Sequence, residues 1–257
     1  MDIFPQTVFW PAFWRALWTK APTRVPRCIA LIPDGNRRFA AKHLRPKLWG
    51  HTQGLENLQT IARAAFDAGV EHVVVWAASE SNLKNRPAAE IMYLVQLLKR
   101  EIAERLRDPE GTRLYIRGSW RKHIEDAELD LLISNIETGT ACFTRRHLTL
   151  LFGYSGKTDA LEAAKKFFRH ASVEGFDDIS DDIFDRYSAT AHIPNVDLII
   201  RTGVDGTPNE SDPFLPFKKQ NAVLYFRRMP WPAFTAAHLR SVLKDYGKRS
   251  AALRKGA

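Results

Sequence analysis

The sequence predicts an α/β fold: a single domain with a mainly parallel central β-sheet flanked by helices. Three observations carry the fold. Short apolar runs at 28–33, 72–78, 113–117, 147–152 and 196–200 alternate with longer stretches of helical spacing at 55–68, 88–106, 122–139 and 156–169, the order of strands joined by helical crossovers. The breaks fall between these segments, at Asp108-Pro109-Glu110-Gly111, Gly118 and Pro194-Asn195, where Gly, Pro, Asp and Asn punctuate local structure. The chain of 257 residues is 45% apolar and shows neither a linker nor an internal repeat, so one large core is within reach.

Residues 1–26 are unlike the rest. Phe4, Phe9, Trp10, Phe13, Trp14, Leu17 and Trp18 crowd this segment, and positions 10, 13, 14, 17 and 18 form one helical stripe. It is too short and interrupted to span a bilayer, and it lacks the charged start and cleavage site of a signal peptide. Two readings stand: an interfacial helix with tryptophans at headgroup depth, or a helix packed back over the domain near a substrate cleft. The chain from residue 27 onward is the globular domain.

The first apolar run, Cys28-Ile29-Ala30-Leu31-Ile32, leads into Pro33-Asp34-Gly35-Asn36-Arg37-Arg38-Phe39-Ala40. An acidic turn and two guanidiniums at a strand end suit a diphosphate: a carboxylate for a divalent metal, a glycine that lets backbone N–H groups approach, and arginines that bind bidentately. Taken alone, Asp34-Gly35 is ordinary turn chemistry. The weight shifts with Gly50-His51-Thr52-Gln53-Gly54, which opens the next helical segment and places a second anion-compatible motif beside the same basic stretch. In an open parallel sheet, ligands collect beyond the C-terminal strand ends, and the motifs begin there. At the other end, Thr235 to Lys255 reads as a basic amphipathic helix and tail.

The formal charge of +9 raises nucleic acid as a partner, but the basic residues are scattered and no aromatic-and-basic RNA-binding motif occurs. A basic surface equally suits diphosphates and anionic lipid headgroups. No nucleic acid is expected. Cys28 and Cys142 are too few for a disulfide framework and are read as packing residues in a reducing compartment.

Asp34-Gly35-Asn36-x-Arg38-x-Ala40 followed by Gly50-His51-x-x-Gly54 resembles the first signature of the cis-prenyltransferases, the undecaprenyl diphosphate synthase family. Further motifs follow in the same order. Ser79-Glu80-Ser81-Asn82-Leu83-Lys84-Asn85-Arg86-Pro87 resembles the family's Ser-x-x-Asn…Arg-Pro loop, and Gly153-Tyr154-Ser155-Gly156-Lys157 its Tyr-Gly-Gly-Arg turn. Asp197-Leu198-Ile199-Ile200-Arg201-Thr202-Gly203 resembles its Asp-Leu-x-Ile-Arg-Thr-Gly strand, and Leu224-Tyr225-Phe226…Trp231-Pro232-Ala233-Phe234 the closing segment. The likeness runs over roughly residues 27–245, and five ordered motifs are more specific than any one.

The resemblance implies Mg²⁺-dependent condensation of an allylic diphosphate with isopentenyl diphosphate, and an apolar substrate tunnel between sheet and helices that Phe66, Met92, Leu97 and Leu98 are candidates to line, although plain core is the better reading for any single one. In that reading Asp34 is catalytic and holds the metal, and Gly35, Asn36, Arg37, Arg38 and Phe39 cradle the diphosphate. Lys47 and His51 complete the basic wall. Ser79 and the catalytic Asn82 orient the reacting groups and the departing proton, while Arg86 and Arg201 contact diphosphate. A homodimer, a cytoplasmic location and contact with a membrane surface are implied with it.

Two departures stand out. The 79–87 segment carries Leu83 where the family has an aromatic residue and Ser81 where it has an acid. After Gly203 the family's Gly-Glu-x-Arg-x-Ser-x-Phe is replaced by Val204-Asp205-Gly206-Thr207-Pro208-Asn209-Glu210-Ser211-Asp212-Pro213-Phe214, so an arginine is absent and Ser211 is displaced. A metal-binding Glu before Leu-Tyr-Phe is Val223. Three readings follow. Asp205, Glu210 or Asp212 replaces the carboxylate and Lys218 or Lys219 the arginine, so that elongation continues; the acceptor has changed, giving a shorter or irregular branched product; or the chain is a lipid-binding or regulatory subunit. Asp34 favours an enzyme, because a carrier has little use for a carboxylate beside a diphosphate unless a metal lies between them.

Overall fold

The computed structural model describes residues 24–107, 111–174, 185–206 and 212–253. The aromatic segment at 1–23, the break at 108–110 and the candidates Glu210 and Ser211 lie outside the described residues. Six strands, β1 (Cys28–Ile32), β2 (His72–Ser79), β3 (Thr112–Arg117), β4 (Arg146–Tyr154), β5 (Leu198–Arg201) and β6 (Val223–Phe226), form one sheet in the order β3-β4-β2-β1-β5-β6. Every neighbouring pair is parallel, as the crossover pattern predicts. The sixth strand was not among the apolar runs: four residues on a sheet edge, with Leu224 and Phe226 exposed, carry little hydrophobic signal.

Among the described residues the helices are α1 (Asn36–Lys42), α2 (Lys47–Asp67), α3 (Glu80–Asn85), α4 (Ala88–Arg107), α5 (Ala127–Gly139), α6 (Gly156–Glu174) and α7 (Ala236–Leu253). Two regions read as turn or loop are therefore short helices: Asn36 opens α1 directly after Gly35, and the 79–87 segment is α3 followed by Arg86. The third helical stretch is shorter at its start, because Trp120–Lys122 forms a separate 3-10 turn and Asp126 caps α5 by accepting from the Leu129 N–H at 2.9 Å.

In α2, Gly50, His51, Gly54, Leu58, Ile61, Ala62 and Ala65 fall on one buried face, the three-and-four spacing of a helix laid on a sheet. That face joins Ile29, Leu31, Val73, Val75, Leu148 and Leu150 of the strands and Val95, Leu98 and Ile102 of α4 in the main core; each such side chain, fully buried, contributes about 1.5–3 kcal/mol. On the opposite face Cys28, Ala30, Val74, Leu151 and Ile199 meet Ile193, Val196, Phe214 and Leu215. Cys28 is buried as expected, but Cys142 is exposed, since it follows the end of α5 rather than sitting within an element.

Near the N-terminal strand ends, His72 and His147 stack with ring centres 4.3 Å apart, and His192 bonds Thr149 at 3.1 Å. Burial first, then the neighbouring His147 and Arg27, lowers His72 to a pKa of about 4; burial first, then Arg117, lowers His192 to about 3. The chain runs from β1 to β2 on one side, whereas β5 lies on the other, so the β1/β5 crevice is the topological switch point of the sheet.

Candidate active site

At the end of β1 the chain turns on Gly35, whose φ of 102° is left-handed. A Cβ there would also lie 2.7 Å from that of Pro230, so both conformation and space demand glycine. The turn is fixed from the β5 side: the Asp34 carbonyl accepts from Thr202 Oγ1 at 3.0 Å and from the Trp231 N–H at 2.9 Å. The Asp34 carboxylate stays half exposed, with Arg38 at 3.3 Å and Arg201 at 3.8 Å. Arg38 also donates to the Gly203 carbonyl at 2.5 Å.

Helix α2 approaches α1 with backbone against backbone. A Cβ on Gly50 would fall 2.2 Å from the Asn36 carbonyl oxygen, and one on Gly54 2.7 Å from Asn36 Oδ1. The two glycines thus let His51 into the wall of the site. His51 is 6% exposed and its Nε2 lies 3.0 Å from Glu90 Oε1. Burial, aided by the charges of Arg86 and Arg37, lowers its pKa despite that bond. The neutral ring donates through Nε2 to the carboxylate and keeps a lone pair on Nδ1.

Glu90 is the organising residue that sequence reasoning missed. Buried in the first turn of α4, it lies 3.0 Å from His51, 3.3 Å from Arg86 and 3.9 Å from Arg37, joining three elements. An acid four positions after Arg86 on a helix is the available signal. Ser79 and Asn82 form a capping box on α3: the Ser79 side chain accepts from the Asn82 N–H at 3.0 Å and Asn82 Oδ1 from the Ser79 N–H at 3.3 Å. The same Oδ1 accepts from Arg86 at 3.0 Å, so this pair aims the arginine. Burial lowers the Arg86 pKa, partly offset by Glu90.

These residues surround a polar pocket of about 420 Å³ lined by Pro33, Asp34, Gly35, Asn36, Arg37, Arg38, Ala41, Lys47, His51 and Arg86. Phe39, Ser79, Asn82 and Arg201 do not line it: the Phe39 ring stacks on Trp49 at 5.5 Å, and the other three act through Arg86 or Asp34. An adjoining cavity of about 90 Å³ is lined chiefly by Leu55, Leu58, Val75, Leu94, Leu97, Leu98, Leu150, Phe152 and Trp231, with Glu101 also in its wall. The two compartments share Pro33, Asn36 and His51. Of the tunnel candidates, Leu97 and Leu98 line this cavity; Met92 is 52% exposed and Phe66 packs in the core elsewhere on α2.

On the β5–β6 side the replacements read from sequence are not all available. Lys218 is buried and ion-paired with Asp185, so it cannot stand in for the missing arginine. Asp212 accepts from Ser155 Oγ at 3.0 Å, and Asp205 is exposed. Val223 opens β6. Among the described residues, no group of three His, Cys, Asp or Glu side chains is placed to hold a metal by itself, and no helix is long and apolar enough to cross a membrane.

A cationic pocket at the switch point of a parallel sheet, opening into a hydrocarbon-lined cavity, defines a protein that handles amphiphilic diphosphates. The family model described as putative undecaprenyl diphosphate synthase matches residues 32–253. The chain is 35% identical over 233 residues to a ditrans,polycis-undecaprenyl-diphosphate synthase ((2E,6E)-farnesyl-diphosphate specific) of Pseudomonas aeruginosa, covering 88% of this chain and 89% of that protein. It is 30% identical over 235 residues to an isoprenyl transferase of Streptomyces fradiae, with 88% and 89% covered. Among solved structures, lavandulyl diphosphate synthase from Lavandula x intermedia in complex with dimethylallyl diphosphate superposes with a TM-score of 0.77 at 25% identity, covering 87% of this chain and 95% of that one. The chain belongs to the undecaprenyl diphosphate synthase family, the cis-prenyltransferases, and its activity is prenyl transfer.

Proposed function

We propose that this enzyme condenses an allylic diphosphate with isopentenyl diphosphate to give a cis-prenyl diphosphate, with Mg²⁺ bound to the allylic diphosphate. The observation that carries this reading is the junction of the two compartments at Pro33, Asn36 and His51: a charged head fits one side and a hydrocarbon tail the other. The allylic C–O bond breaks and diphosphate leaves. The alkene of isopentenyl diphosphate supplies the electron pair for the new C–C bond, and a proton lost from the adjacent carbon leaves the new cis double bond.

Arg37, Arg38, Lys47 and Arg86 offset the charge that grows on the leaving group, a preorganised electrostatic contribution. Gly35 lets the backbone approach it, and Asn36 borders both head and tail. Asp34 offers the single protein carboxylate that Mg²⁺ needs when substrate oxygens and water supply its other ligands, and the ion would add Lewis-acid stabilisation of the diphosphate. Arg201 steadies Asp34. Asn82 and Ser79 aim Arg86, and Phe39 props α1 against α2 through Trp49.

A homodimer in the cytoplasm, in contact with a membrane surface, belongs to the same reading; light scattering and vesicle sedimentation test these points. Radiolabelled isopentenyl diphosphate with primers of five to twenty carbons tests the reaction itself. Incorporation that is lost with Asp34→Ala and with chelator supports it. Absence of incorporation from every primer overturns it. Val223 and the missing arginine favour one second reading, irregular coupling of two five-carbon units, for which dimethylallyl diphosphate alone would yield a ten-carbon branched diphosphate.

A further inference from the structure

Between Asp34 and Glu56 the chain carries no acid. Residues 35–55 hold Arg37, Arg38, Lys42, Arg45 and Lys47 instead, and 41–47, around the turn that joins α1 to α2, is an unbroken exposed run. In it stands Leu44, 95% exposed. The turn closes α1 as a Schellman motif: the Arg45 N–H donates to the Ala40 carbonyl at 2.9 Å and the Leu44 N–H to the Ala41 carbonyl at 3.1 Å. Leu44 fills the left-handed position, with φ of 53°, where glycine or asparagine is the usual occupant because other side chains are strained there. A leucine that strains its turn and buries almost nothing among the described residues points to a contact beyond the chain.

Three rings flank it as one platform. Phe39 stacks on Trp49 with centres 5.5 Å apart, and the His43 ring centre lies 4.2 Å from that of Phe39 and 5.8 Å from that of Trp49. His43 Nδ1 also donates to the Phe39 carbonyl at 2.8 Å.

We infer that the 41–49 turn is a foot that stands on an anionic bilayer, with Leu44 entering the boundary between headgroups and acyl chains, Lys42 and Arg45 on lipid phosphates, and Trp49 at interface depth. A small apolar insertion and attraction to anionic lipid hold together where neither suffices alone, and tryptophan favours that depth. An acidic protein would satisfy the cations, but a single leucine tip gives it little surface to pack on, whereas acyl chains accept one side chain. The inference rests on the membrane contact of the reading above and names the surface that makes it. Arg37, Arg38, Ala41 and Lys47 line the diphosphate pocket, so the foot borders the pocket mouth. A docked enzyme presents that mouth to the headgroup layer, where amphiphilic diphosphates reside.

The test sediments the full chain with vesicles of phosphatidylcholine alone and of equal parts phosphatidylcholine and phosphatidylglycerol. The wild type is expected to bind the anionic vesicles, less so in high salt, and to leave the neutral ones. Lys42→Glu/Arg45→Glu should weaken binding by about 25-fold or more, at roughly fivefold for each basic residue near the surface. Leu44→Asn should weaken it by about tenfold while keeping or raising the melting temperature, because asparagine suits the left-handed position. An environment-sensitive label on Leu44→Cys in a Cys142→Ser background should shift to the blue on anionic vesicles; one on Leu131→Cys of α5, also exposed, should not. Lys42, Leu44 and Arg45 do not line the pocket, so prenyl transfer from a five-carbon primer without vesicles should stay at the wild-type rate. Variants that bind as the wild type does overturn the foot and leave membrane contact to another surface. A wild type that binds neither vesicle sinks membrane contact itself, and the foot with it. A label at Leu44 that stays unshifted on bound vesicles, or variants that lose soluble transfer as much as vesicle binding, also overturn the foot, the latter assigning the cations to substrate steering.

Discussion

The two sides of the β1/β5 crevice are built differently. On the β1 side, side chains from α1, α2, α3 and α4 converge, and one buried acid, Glu90, spaces His51, Arg86 and Arg37 around the pocket. On the β5 side the contacts are largely backbone: Gly203 C=O accepts from Arg38, and the Gly203 and Val204 N–H groups donate to Met229 and Arg227 carbonyls. The difference teaches that one side of the crevice fixes its charges through a side-chain network while the other fixes its turn through the backbone, so the side chains on the second side can change without loss of the first.

The largest expected effect breaks the β1 side outright. Asp34→Ala should lower incorporation by at least about 10³-fold, as loss of a metal-bound electrostatic anchor does, with little change in thermal stability because the carboxylate is half exposed; steady-state assays and melting curves check this. Arg86→Ala comes next. It should raise the KM for the allylic diphosphate by about 10–200-fold, the value of roughly 1.5–3 kcal/mol for a charge-assisted bond, measured against unchanged isopentenyl diphosphate saturation.

Glu90→Gln probes how the β1 side is organised rather than what touches substrate. It should cost about 10–100-fold in kcat/KM, the usual effect of removing an orienting partner, and about 1–3 kcal/mol in urea unfolding, because buried donors lose a charged acceptor. Val223→Glu acts on the other side and should be smaller: a several-fold gain in incorporation at low Mg²⁺ if the β5 side has merely lost a carboxylate. No gain would point to a changed acceptor.

The smallest effect belongs to the scaffold and separates loss of the site from loss of the fold. Folded-state pKa values of about 4 for His72 and about 3 for His192 lie below the unfolded value near 6.5. Between those limits the unfolded chain binds more protons. Stability is therefore fully present above pH 6.5 and falls as pH drops toward 4, by roughly 2 kcal/mol for His72. Melting curves from pH 7.5 to 4.5 should show this decline in the wild type and a flatter one in His72→Gln.

Much of the fold was legible because its strands are apolar runs at regular spacing; β6 was not, being short and half exposed. The β1-side pocket was legible from Asp34, Gly35, Arg38, Gly50 and His51, since those residue types suit a diphosphate on any scaffold. Glu90 and Glu101 were not. An acid on a helix reads as solvated surface, and only packing shows that each is buried with cationic or amide partners. Lys218 misled for the opposite reason: its charge suggested a substrate contact, but it is spent on Asp185 beneath the surface.

The Asp34 turn is held by Thr202, Gly203, Pro230 and Trp231, all of which flank the 204–222 stretch rather than belong to it. Within it Phe214 and Leu215 are anchored in the core, whereas Asp205, two residues after Gly203, is exposed. Substitutions at Asp205 should therefore alter the β5 side without retuning the head-group pocket, one handle for changing product type that leaves the scaffold intact.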